Sequence, residues 1–460
     1  MHSKIQKLIT FFPDKKIKSV LKIFEKTAVY TDGRGFGVIV EKNGKCVGVV
    51  TDGDIRSFIL SNGDINKAVE LCMNKNFIFA NLTQTNHQII KLFDEGVKNI
   101  PVLDKQKKLL KIITYNNYQD SGFSSSNIIR CKVPVRISFS GGGSDFTKLI
   151  KDESSHILSA TINKYVTASI LTRDDKKINI ISKTLNKKYC VKNISEIKYG
   201  DSLDIVKAAI KLSRPSFGFD IEINSDVAPG TGLGGSSAVA AATIGALNFF
   251  KNDKALNLYG IADLAYQAER LELKLNGGWQ DQYATVFGGF NFIEFNNEDV
   301  VVNTLKISKD TLLELEFNLL LFKLNGSRNS NIIQRTYKKN YKKNQTDSLK
   351  KMKEISNQAR HALLKGNIKK FGDLLHSSWE IKKTMNNGVS NKYVNHVYEI
   401  AKKNGALGGK LLGAGQTGYM LIFSSPLHQK KIIDLLKKTG AIYEHFSFSE
   451  NGLQLWKTQR

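Results

Sequence analysis

One segment constrains the fold of this chain more than any other: residues 217–250, which read FGFDIEINSDVAPGTGLGGSSAVAAATIGALNFF. Its first part alternates apolar and polar side chains, as a half-buried strand does, and its last part is an alanine-rich helical pattern. Between them lies a glycine-rich turn. Glycine lets the backbone adopt positive φ and approach a phosphate, and a helix start offers free N–H groups and a positive dipole end. The segment therefore predicts a strand, an anion-binding turn and a helix, in that order.

The turn at residues 229–237 admits other interpretations. Its letters GTGLGG satisfy the dinucleotide fingerprint G-x-G-x-x-G, but a second helical pattern at residues 256–275 follows where a Rossmann unit needs a parallel strand. A P-loop needs a lysine before its Ser or Thr, and the segment has none. Glycines that serve only a tight turn are the remaining alternative, although four of them within six residues exceed what a turn requires.

Length and charge bound the function classes. A chain of 460 residues with 41% hydrophobic and 24% charged residues predicts a globular protein of two or three domains. Its net charge of +26 would suit nucleic acid, but the lysines are spread along the chain. The densest basic stretch, residues 338–353, lacks the interleaved aromatics and arginines of a nucleic-acid surface. We therefore expect no nucleic-acid or membrane partner and attribute the charge to phosphorylated substrates.

The cysteines and apolar runs indicate a compartment. Four cysteines lie far apart, without a Cys-x-x-Cys pair or a histidine cluster at metal-ligand spacing. The N-terminus lacks the apolar core of a signal peptide, and the longest apolar run, residues 238–250, is too short to cross a bilayer. These features predict a cytoplasmic protein without a membrane anchor.

Residues 1–120 contain two similar passages, each a helical pattern followed by a strand, a turn and a second strand. In the first, FGVIVEKNGKCVGVVTDGDIR, the dipeptide Asn43-Gly44 predicts a hairpin before a helix that opens near Asp52. The second is VKNIPVLDKQKKLLKIITYNNY. The passages resemble the paired repeats of CBS domains, which implies a regulatory module that binds an adenosine nucleotide, or a purely structural or dimerising one that makes a homo-oligomer. The implied nucleotide contacts are Thr51, Asp54 and Thr114, with Asn117 where the second repeat would carry its acid.

After a polar linker at residues 121–127, extended patterns and long helical patterns alternate, which predicts an α+β fold. Two more glycine-rich segments flank the first one: PVRISFSGGGSDF upstream and LGGKLLGAGQTGYMLIF downstream. In this order the three resemble the motifs of GHMP kinases (galacto-, homoserine, mevalonate and phosphomevalonate kinases). The resemblance implies an ATP-binding subdomain of ribosomal protein S5 domain 2-like fold at residues 128–300 and a ferredoxin-like subdomain at 301–460. The residues implied to bind ATP are Pro229, Gly230, Thr231, Gly232, Leu233, Gly234, Gly235, Ser236 and Ser237.

The resemblance also implies catalytic roles. GGWQDQYATVFGGF resembles the segment with the catalytic aspartate of the galactokinase-like branch, which makes Asp281 the base and Arg136 its partner. Glu269, with Ser236 or Ser237, falls where the family holds Mg²⁺, an ion that prefers hard oxygen ligands. From the residues alone, Asp281 could form a local turn bond, Arg136 a surface ion pair, and Glu269 part of a solvated helix face.

Substrate contacts are implied by the upstream motif. Galactokinases carry Glu-His where this chain has Gly142-Gly143, and RISFSGGGSD resembles instead the heptose 7-phosphate kinase branch, as do NGSRNSNII and LLHSSWEIKKTM. Lys382 and Lys383 could read a distal phosphate or be surface charges. The full set of implied substrate residues is Ser138, Gly141, Gly142, Gly143, Ser144, Asp145, Ser327, Arg328, Gly413 and Gly415.

The resemblance thus implies an ATP- and Mg²⁺-dependent sugar kinase. The expected reaction is phosphorylation of the anomeric hydroxyl of D-glycero-D-manno-heptose 7-phosphate, toward nucleotide-activated heptose for surface polysaccharide. The alternatives are an anomeric kinase for another monosaccharide, of the fucose or uronic acid type, and a catalytically impaired nucleotide-sensing protein.

Overall fold

The computed structural model describes residues 7–31, 35–81, 83–84, 86–115, 127–151, 153–326, 346–385 and 388–459. The chain divides into two compact units, Met1–Ser125 and Ser126–Arg460. All four cysteines are free thiols. Within the described ranges, no helix has the length and apolar character that crossing a membrane requires.

The first unit repeats one arrangement of strands and helices, as its two similar passages predict. In each repeat a short strand pairs in parallel with the first arm of a β-hairpin. The strands are β1 (Thr10–Phe11), β2 (Phe36–Val40) and β3 (Cys46–Thr51), then β4 (Ala80–Asn81), β5 (Asn99–Leu103) and β6 (Leu109–Thr114). The helices are α1 (Ile17–Thr27), α2 (Asp52–Leu60) and α3 (Asn86–Asp94), with 3₁₀ turns at Ala28–Tyr30 and Val69–Leu71.

The hairpin predicted at Asn43-Gly44 joins β2 to β3, and Gly44 has the positive φ of +85° that this turn favours. Apolar side chains of both repeats meet in one core, where Ile9 and Val38 of the first pack with Ile112 of the second. Neither hairpin could bury its apolar face alone, so each repeat stabilises the other.

The second unit is built on an eight-stranded sheet and a four-stranded sheet in the described residues. The large sheet has β7 (Asn127–Ser140), β8 (Ser155–Arg173), β9 (Ile178–Ser182), β10 (Lys187–Val191), β11 (Gly218–Ser225), β12 (Phe290–Phe295), β13 (Val300–Thr304) and β18 (Gln454–Gln459). The small sheet has the order β15 (Ala406–Leu411), β16 (Tyr419–Ser424), β14 (Leu319–Lys323) and β17 (Ile442–Glu444).

Helices cover both sheets. They are α4 (Thr147–Ile150), α5 (Asp204–Ser213), α6 (Gly235–Asn248), α7 (Leu258–Tyr266), α8 (Gln280–Phe287), α9 (Lys309–Phe317), α10 (Thr346–Leu364), α11 (Ile368–Met385), α12 (Lys392–Lys403) and α13 (Pro426–Lys438). The alanine-rich α6 is buried on nearly every side, because its small side chains let it pack closely against β7, β8 and the neighbouring helices. The mixed helix and strand content is the α+β fold that the sequence predicts.

Two details differ from the sequence patterns. The helical pattern at residues 256–275 becomes α7 followed by a π-helical turn, Gln267–Glu272, a geometry frequent at functional sites. The C-terminal strand β18 pairs with β7, whose partner on the other side is β8. Strands β13 and β18, both from residues beyond 299, therefore complete the large sheet.

Candidate active site

The glycine-rich turn between β11 and α6 is shaped as an anion cradle. Gly230, Gly232 and Gly234 have φ values of +76°, +88° and +74°, a region that side chains other than glycine rarely adopt. Gly234 is the N-cap of α6, so the first amides of that helix lack helical partners and point out of its N-terminus. The turn lines a cleft in the second unit and offers backbone N–H groups and the positive end of the α6 dipole to a phosphate.

Arg136 ties strand β7 to this turn. Its backbone N–H donates to Leu233 O at 2.9 Å, and its Nη1 donates to Gly232 O at 2.6 Å. A Cβ on Gly234 would lie 3.2 Å from Arg136 Cγ, so the glycine is needed where the arginine passes. The end of β7 and the phosphate-binding turn therefore hold each other in place.

The same guanidinium holds Asp281, in the first turn of α8. Arg136 Nη2 and Nε both contact Asp281 Oδ1, at 2.6 and 3.0 Å. Arg136 is only 2% exposed, whereas the Asp281 side chain keeps 24% of its surface accessible from the cleft that both residues line. Both guanidinium contacts fall on one carboxylate oxygen, which leaves the other oxygen for a ligand hydroxyl.

Glu269 lies on the π-helical turn and is fully buried. Its Oε2 accepts hydrogen bonds from Ser237 Oγ, at 2.6 Å, and from Gln282 Nε2. Its Oε1 has no hydrogen-bond partner among the described residues, and Arg270 Nη1 lies 3.8 Å from it. Glu269 is one of the residues that line the cleft. A buried carboxylate oxygen without a partner carries a desolvation cost that a cation would remove.

These residues fit Mg²⁺. In the described part of the chain, no three His, Cys, Asp or Glu side chains gather as a protein-built metal site would require. Mg²⁺ does not need such a cage, because it is usually held by one or two carboxylates together with substrate phosphates and water. Glu269, beside the serine hydroxyls at the start of α6, has that donor chemistry.

Asp145 is buried deep in the cleft wall. Its Oδ2 accepts the backbone N–H of Gln280 at 2.9 Å, and its Oδ1 accepts Gly143 N–H and Gln280 Nε2, each at 3.2 Å. Burial raises the pKa of the Asp145 carboxyl; the amide hydrogen bonds oppose the increase, and the charge of Asp281 adds to it. The carboxylate thus fastens the start of α8 to the upstream glycine motif.

Two buried lysines also line the cleft. Lys410, on β15, is 1% exposed and donates from Nζ to Phe139 O at 3.0 Å. Lys382, on α11, donates to Gly413 O at 2.6 Å. Burial lowers the pKa of Lys410 strongly, and the charges of Lys382 and Arg136 lower it further. The cleft lining thus carries the charges of Lys382 and Arg136, and a bound anion would favour protonation of Lys410.

The structure gathers most of the predicted site residues around one cleft. The predicted residues that line it are Arg136, Ser138, Gly142, Gly143, Asp145, Gly230, Thr231, Gly232, Gly234, Gly235, Ser236, Glu269, Asp281, Lys382 and Gly413. Glycine-rich segments far apart in sequence meet here, and Tyr419 N–H donates to Thr231 O at 3.1 Å to join the third segment to the turn.

Other predicted residues lie behind this surface. Ser144 Oγ donates to Gly141 O and bonds Ser155 Oγ at 2.5 Å, so the hydroxyl shapes the loop and does not face a ligand. Lys383 pairs with Glu380 at 2.9 Å on the outer face of α11. The remaining residues that do not line the cleft are Pro229, Leu233, Ser237, Gly141 and Gly415. Ser327 and Arg328 lie outside the described residues.

In the first unit, Thr51 and Asp54 form a capping box at the start of α2. Thr51 N–H and Thr51 Oγ1 each donate to Asp54 Oδ2 at 2.7 Å, and Asp54 N–H donates to Thr51 Oγ1 at 3.2 Å. Thr114 ends β6 and is 1% exposed, and Asn117 lies outside the described residues. The two predicted contacts of the first repeat therefore share one helix start.

Sequence reasoning missed Lys410, Gln280 and Arg270, all of which line the cleft. Lys410 stands inside the third glycine-rich motif, and Gln280 directly precedes the predicted base. Their proximity to these segments was the sequence signal that could have identified Lys410 and Gln280 as cleft residues.

Comparisons with known proteins agree with this geometry. The second unit matches the GHMP kinases N terminal domain over residues 204–289 and the GHMP kinases C terminal domain over residues 359–442. The first unit matches the CBS domain twice, over residues 3–61 and 67–117. The N-terminal match contains the phosphate-binding turn, Glu269 and Asp281.

Three individual proteins illustrate the similarity. The chain is 35% identical to a D-glycero-alpha-D-manno-heptose 7-phosphate kinase of Campylobacter jejuni, over 72% of this chain and 99% of that protein. It is 26% identical to a bifunctional fucokinase/GDP-fucose pyrophosphorylase of Arabidopsis thaliana, over 66% of this chain but only 30% of the relative. A crystal structure of a D-glycero-D-manno-heptose 1-phosphate kinase from Bacteriodes thetaiotaomicron superposes with a TM-score of 0.60 and 28% identity, over 72% of this chain and 99% of that one.

Proposed function

Because this chain belongs to the GHMP kinase family and carries a CBS domain pair before its kinase unit, we propose that it phosphorylates the anomeric hydroxyl of a heptose 7-phosphate. Membership of this family makes the chain a sugar kinase, a phosphotransferase with an alcohol group as acceptor. The proposal concerns the acceptor: D-glycero-D-manno-heptose 7-phosphate, converted to the 1,7-bisphosphate.

The observation that carries the proposal is the Arg136–Asp281 pair beside the phosphate-binding turn. Asp281 Oδ1 is held by two guanidinium N–H groups, and the side chain remains accessible to the cleft. Phosphoryl transfer needs a positioned hydroxyl, a proton acceptor and neutralisation of phosphate charge. Asp281 would accept the proton of the attacking hydroxyl, while Arg136 orients the carboxylate and offsets charge on the transferred group.

ATP would place its phosphates on the turn at residues 229–237, where positive φ glycines and the start of α6 face the cleft. Glu269 and the serines at the start of α6 would hold Mg²⁺. When bound, Mg²⁺ supplies positive charge against the phosphate oxygens of the nucleotide.

Two features support an acceptor that carries its own phosphate. Lys382 and Lys410 line the cleft in addition to Arg136, and a phosphate bound there would favour the charged form of Lys410. Gly142 and Gly143 put no side chain where galactokinases carry Glu-His, so that part of the cleft stays open for a larger sugar. The 35% identity to a heptose 7-phosphate kinase over almost the whole of that protein points the same way.

The experiment offers the full-length protein ATP, Mg²⁺ and a panel of acceptors: heptose 7-phosphate, the unphosphorylated heptose, fucose and glucuronate. ADP release gives kcat/KM for each, and ³¹P NMR of the product identifies the phosphorylated position. We expect the highest kcat/KM with heptose 7-phosphate and a new signal from an anomeric phosphate. Turnover of unphosphorylated sugars alone would overturn the proposed acceptor and leave the kinase assignment intact.

The CBS pair adds a regulatory role to the proposal. Asp54 caps α2 through a single carboxylate oxygen, Oδ2, in its bonds to Thr51, and the two side chains together offer a hydroxyl and a carboxylate to a ribose. We therefore propose that the first unit binds an adenosine nucleotide, with AMP, ADP and ATP as the candidates. We also propose that the chain forms a homo-oligomer through the CBS pair.

A further inference from the structure

The side chain of Gln280 is fixed in the cleft wall in one orientation. Gln280 is only 9% exposed and directly precedes Asp281 at the start of α8. Its Nε2 donates to Asp145 Oδ1 at 3.2 Å, and its backbone N–H donates to Asp145 Oδ2 at 2.9 Å. A carboxylate accepts hydrogen bonds, so the amide nitrogen of Gln280 must face Asp145. The amide oxygen, Oε1, is therefore left facing elsewhere.

That oxygen has no hydrogen-bond partner in the described residues, although it is buried. Ser138 Oγ, 4% exposed, is in the same condition. Both residues line the cleft. A buried polar atom without a partner is destabilising, so two of them on one cleft wall point to a ligand group that would satisfy them.

Gly142 links the two atoms. A Cβ at this position would lie 3.1 Å from Ser138 Oγ, 3.6 Å from Gln280 Nε2 and 3.7 Å from Gln280 Oε1. Because glycine has no Cβ, the space between the serine hydroxyl and the glutamine amide is open.

From this geometry we propose that Gln280 is a specificity-determining residue that accepts a hydrogen bond from a non-reacting hydroxyl of the acceptor sugar, with Ser138 as its partner and Gly142 as the opening. The inference rests on the proposed function in that it requires a sugar in this cleft. Gln280 directly precedes the proposed base, Asp281, and both residues line the cleft.

The side-chain atoms at this position favour a ligand hydroxyl that donates a hydrogen bond. Asp145 fixes the amide so that only an acceptor faces the ligand, and Ser138 Oγ can donate or accept. A deoxy sugar would leave Gln280 Oε1 and Ser138 Oγ unpaired in the complex, and sites of this kind reject such analogues strongly. The monodeoxy analogue with the lowest kcat/KM identifies the sugar hydroxyl that lies beside Gly142.

The test compares Gln280→Met and Ser138→Ala with the wild type on the preferred acceptor and its monodeoxy analogues, starting with heptose 7-phosphate and its 2-, 3- and 4-deoxy forms. We expect the wild type to lose about 10- to 100-fold in kcat/KM on one analogue. Gln280→Met should lose a similar factor on the parent sugar and no longer discriminate against that analogue, with an unchanged KM for ATP.

Ser140→Ala is the matched control. Ser140 lies on β7, two residues after Ser138, and its Oγ is also buried without a hydrogen-bond partner in the described part of the chain. Unlike Ser138, Ser140 does not line the cleft. Its variant should keep wild-type discrimination. If Gln280→Met rejects the same analogue by the same factor as the wild type, the assignment of Gln280 is wrong.

A second variant does not remove any side chain. Gly142 lies outside the positive φ region, so Gly142→Ala requires no backbone strain and adds one methyl group to the proposed space. We expect it to raise the KM for the sugar at least several-fold and leave the KM for ATP unchanged; an unchanged sugar KM would contradict the proposal. If the wild type prefers another sugar of the panel, the proposed acceptor fails, and the same variants are tested on the monodeoxy forms of that sugar.

Discussion

Arg136 and Asp281, 145 positions apart in the chain, form a two-point contact in which Nη2 and Nε of the arginine share one oxygen of the aspartate, at 2.6 and 3.0 Å. The arginine also donates to Gly232 O of the phosphate-binding turn. One buried guanidinium therefore connects the proposed base to the proposed ATP site.

Asp281→Asn should abolish turnover and spare ATP binding. The amide keeps the shape of the side chain but cannot accept a proton from the sugar, so we expect kcat to fall by about 10²- to 10⁴-fold. Calorimetric titration with ATP and Mg²⁺ should give a dissociation constant near that of the wild type. Asp310→Asn, at an exposed acid of α9, is the control and should be fully active. A near-normal rate for Asp281→Asn would remove this residue from the base role.

Glu269→Gln should raise the Mg²⁺ requirement. The substitution preserves the side-chain volume but replaces one carboxylate oxygen by an amide nitrogen and removes the charge, which a hard cation needs. Activity measured against free Mg²⁺ should shift its midpoint upward by about 10- to 100-fold, the range found when groups around a metal are changed.

The matched control for this change is Glu272→Gln, at the end of the same π-helical turn. Glu272 accepts from Tyr199 OH at 2.6 Å and contacts Lys211 Nζ at 3.4 Å, away from the cleft lining. Its variant should keep the wild-type Mg²⁺ midpoint. Equal midpoints for both variants would mean that Glu269 does not hold the metal.

The parts of the fold that the sequence predicts are those encoded by neighbouring residues. The strand, turn and helix of residues 217–250 and the hairpin at Asn43-Gly44 follow from local alternation, glycine spacing and turn chemistry. The pairing of β18 with β7 brings together residues more than 300 positions apart, and no local pattern specifies it.

The same distinction holds in the candidate site. Asp281 and Glu269 could be predicted because each lies in a contiguous motif. Lys410 could not, because its burial depends on a contact with Phe139 O, 271 positions away. Ser144 looks like a ligand contact in its motif, yet its hydroxyl bonds Ser155, and only the folded loop reveals that. Motifs predict which backbone segments meet, while side-chain direction depends on packing.

Asp54→Ala should weaken nucleotide binding by the first unit. The substitution removes the carboxylate proposed to face a ribose and half of the capping box with Thr51. Titration of the full chain with AMP should show a loss of about 10- to 100-fold in affinity at the CBS site, beside a loss of about 1 kcal/mol in stability. Ser308→Ala removes the N-cap of α9 in the kinase unit, where Ser308 Oγ accepts from Thr311 N–H at 3.3 Å, and should lower stability without affecting AMP. Unaltered AMP affinity in Asp54→Ala would favour a structural or dimerising module.

Ligand binding should be coupled to proton uptake at Lys410. Burial and the charges of Lys382 and Arg136 hold the Lys410 pKa far below its ordinary value in the free enzyme. A phosphate in the cleft would favour the charged ammonium and raise that pKa again. Between the pKa of the free enzyme and that of the complex, Lys410 is neutral before binding and protonated afterwards, so binding takes up a proton and affinity falls as the pH rises.

Calorimetry in buffers of different ionisation enthalpy measures this uptake. At about pH 8.5 a phosphate monoester, whose second pKa is near 6, is already fully ionised, so protons taken up on binding go to the protein and not to the ligand. ATP with Mg²⁺ and heptose 7-phosphate are titrated separately, so that no reaction occurs. The wild type should show net uptake with at least one ligand, and Lys410→Met should show less uptake with that ligand and a flatter dependence of affinity on pH. Equal uptake by the two proteins with both ligands would show that Lys410 does not respond to phosphate, and its burial would then serve only its bond to Phe139 O.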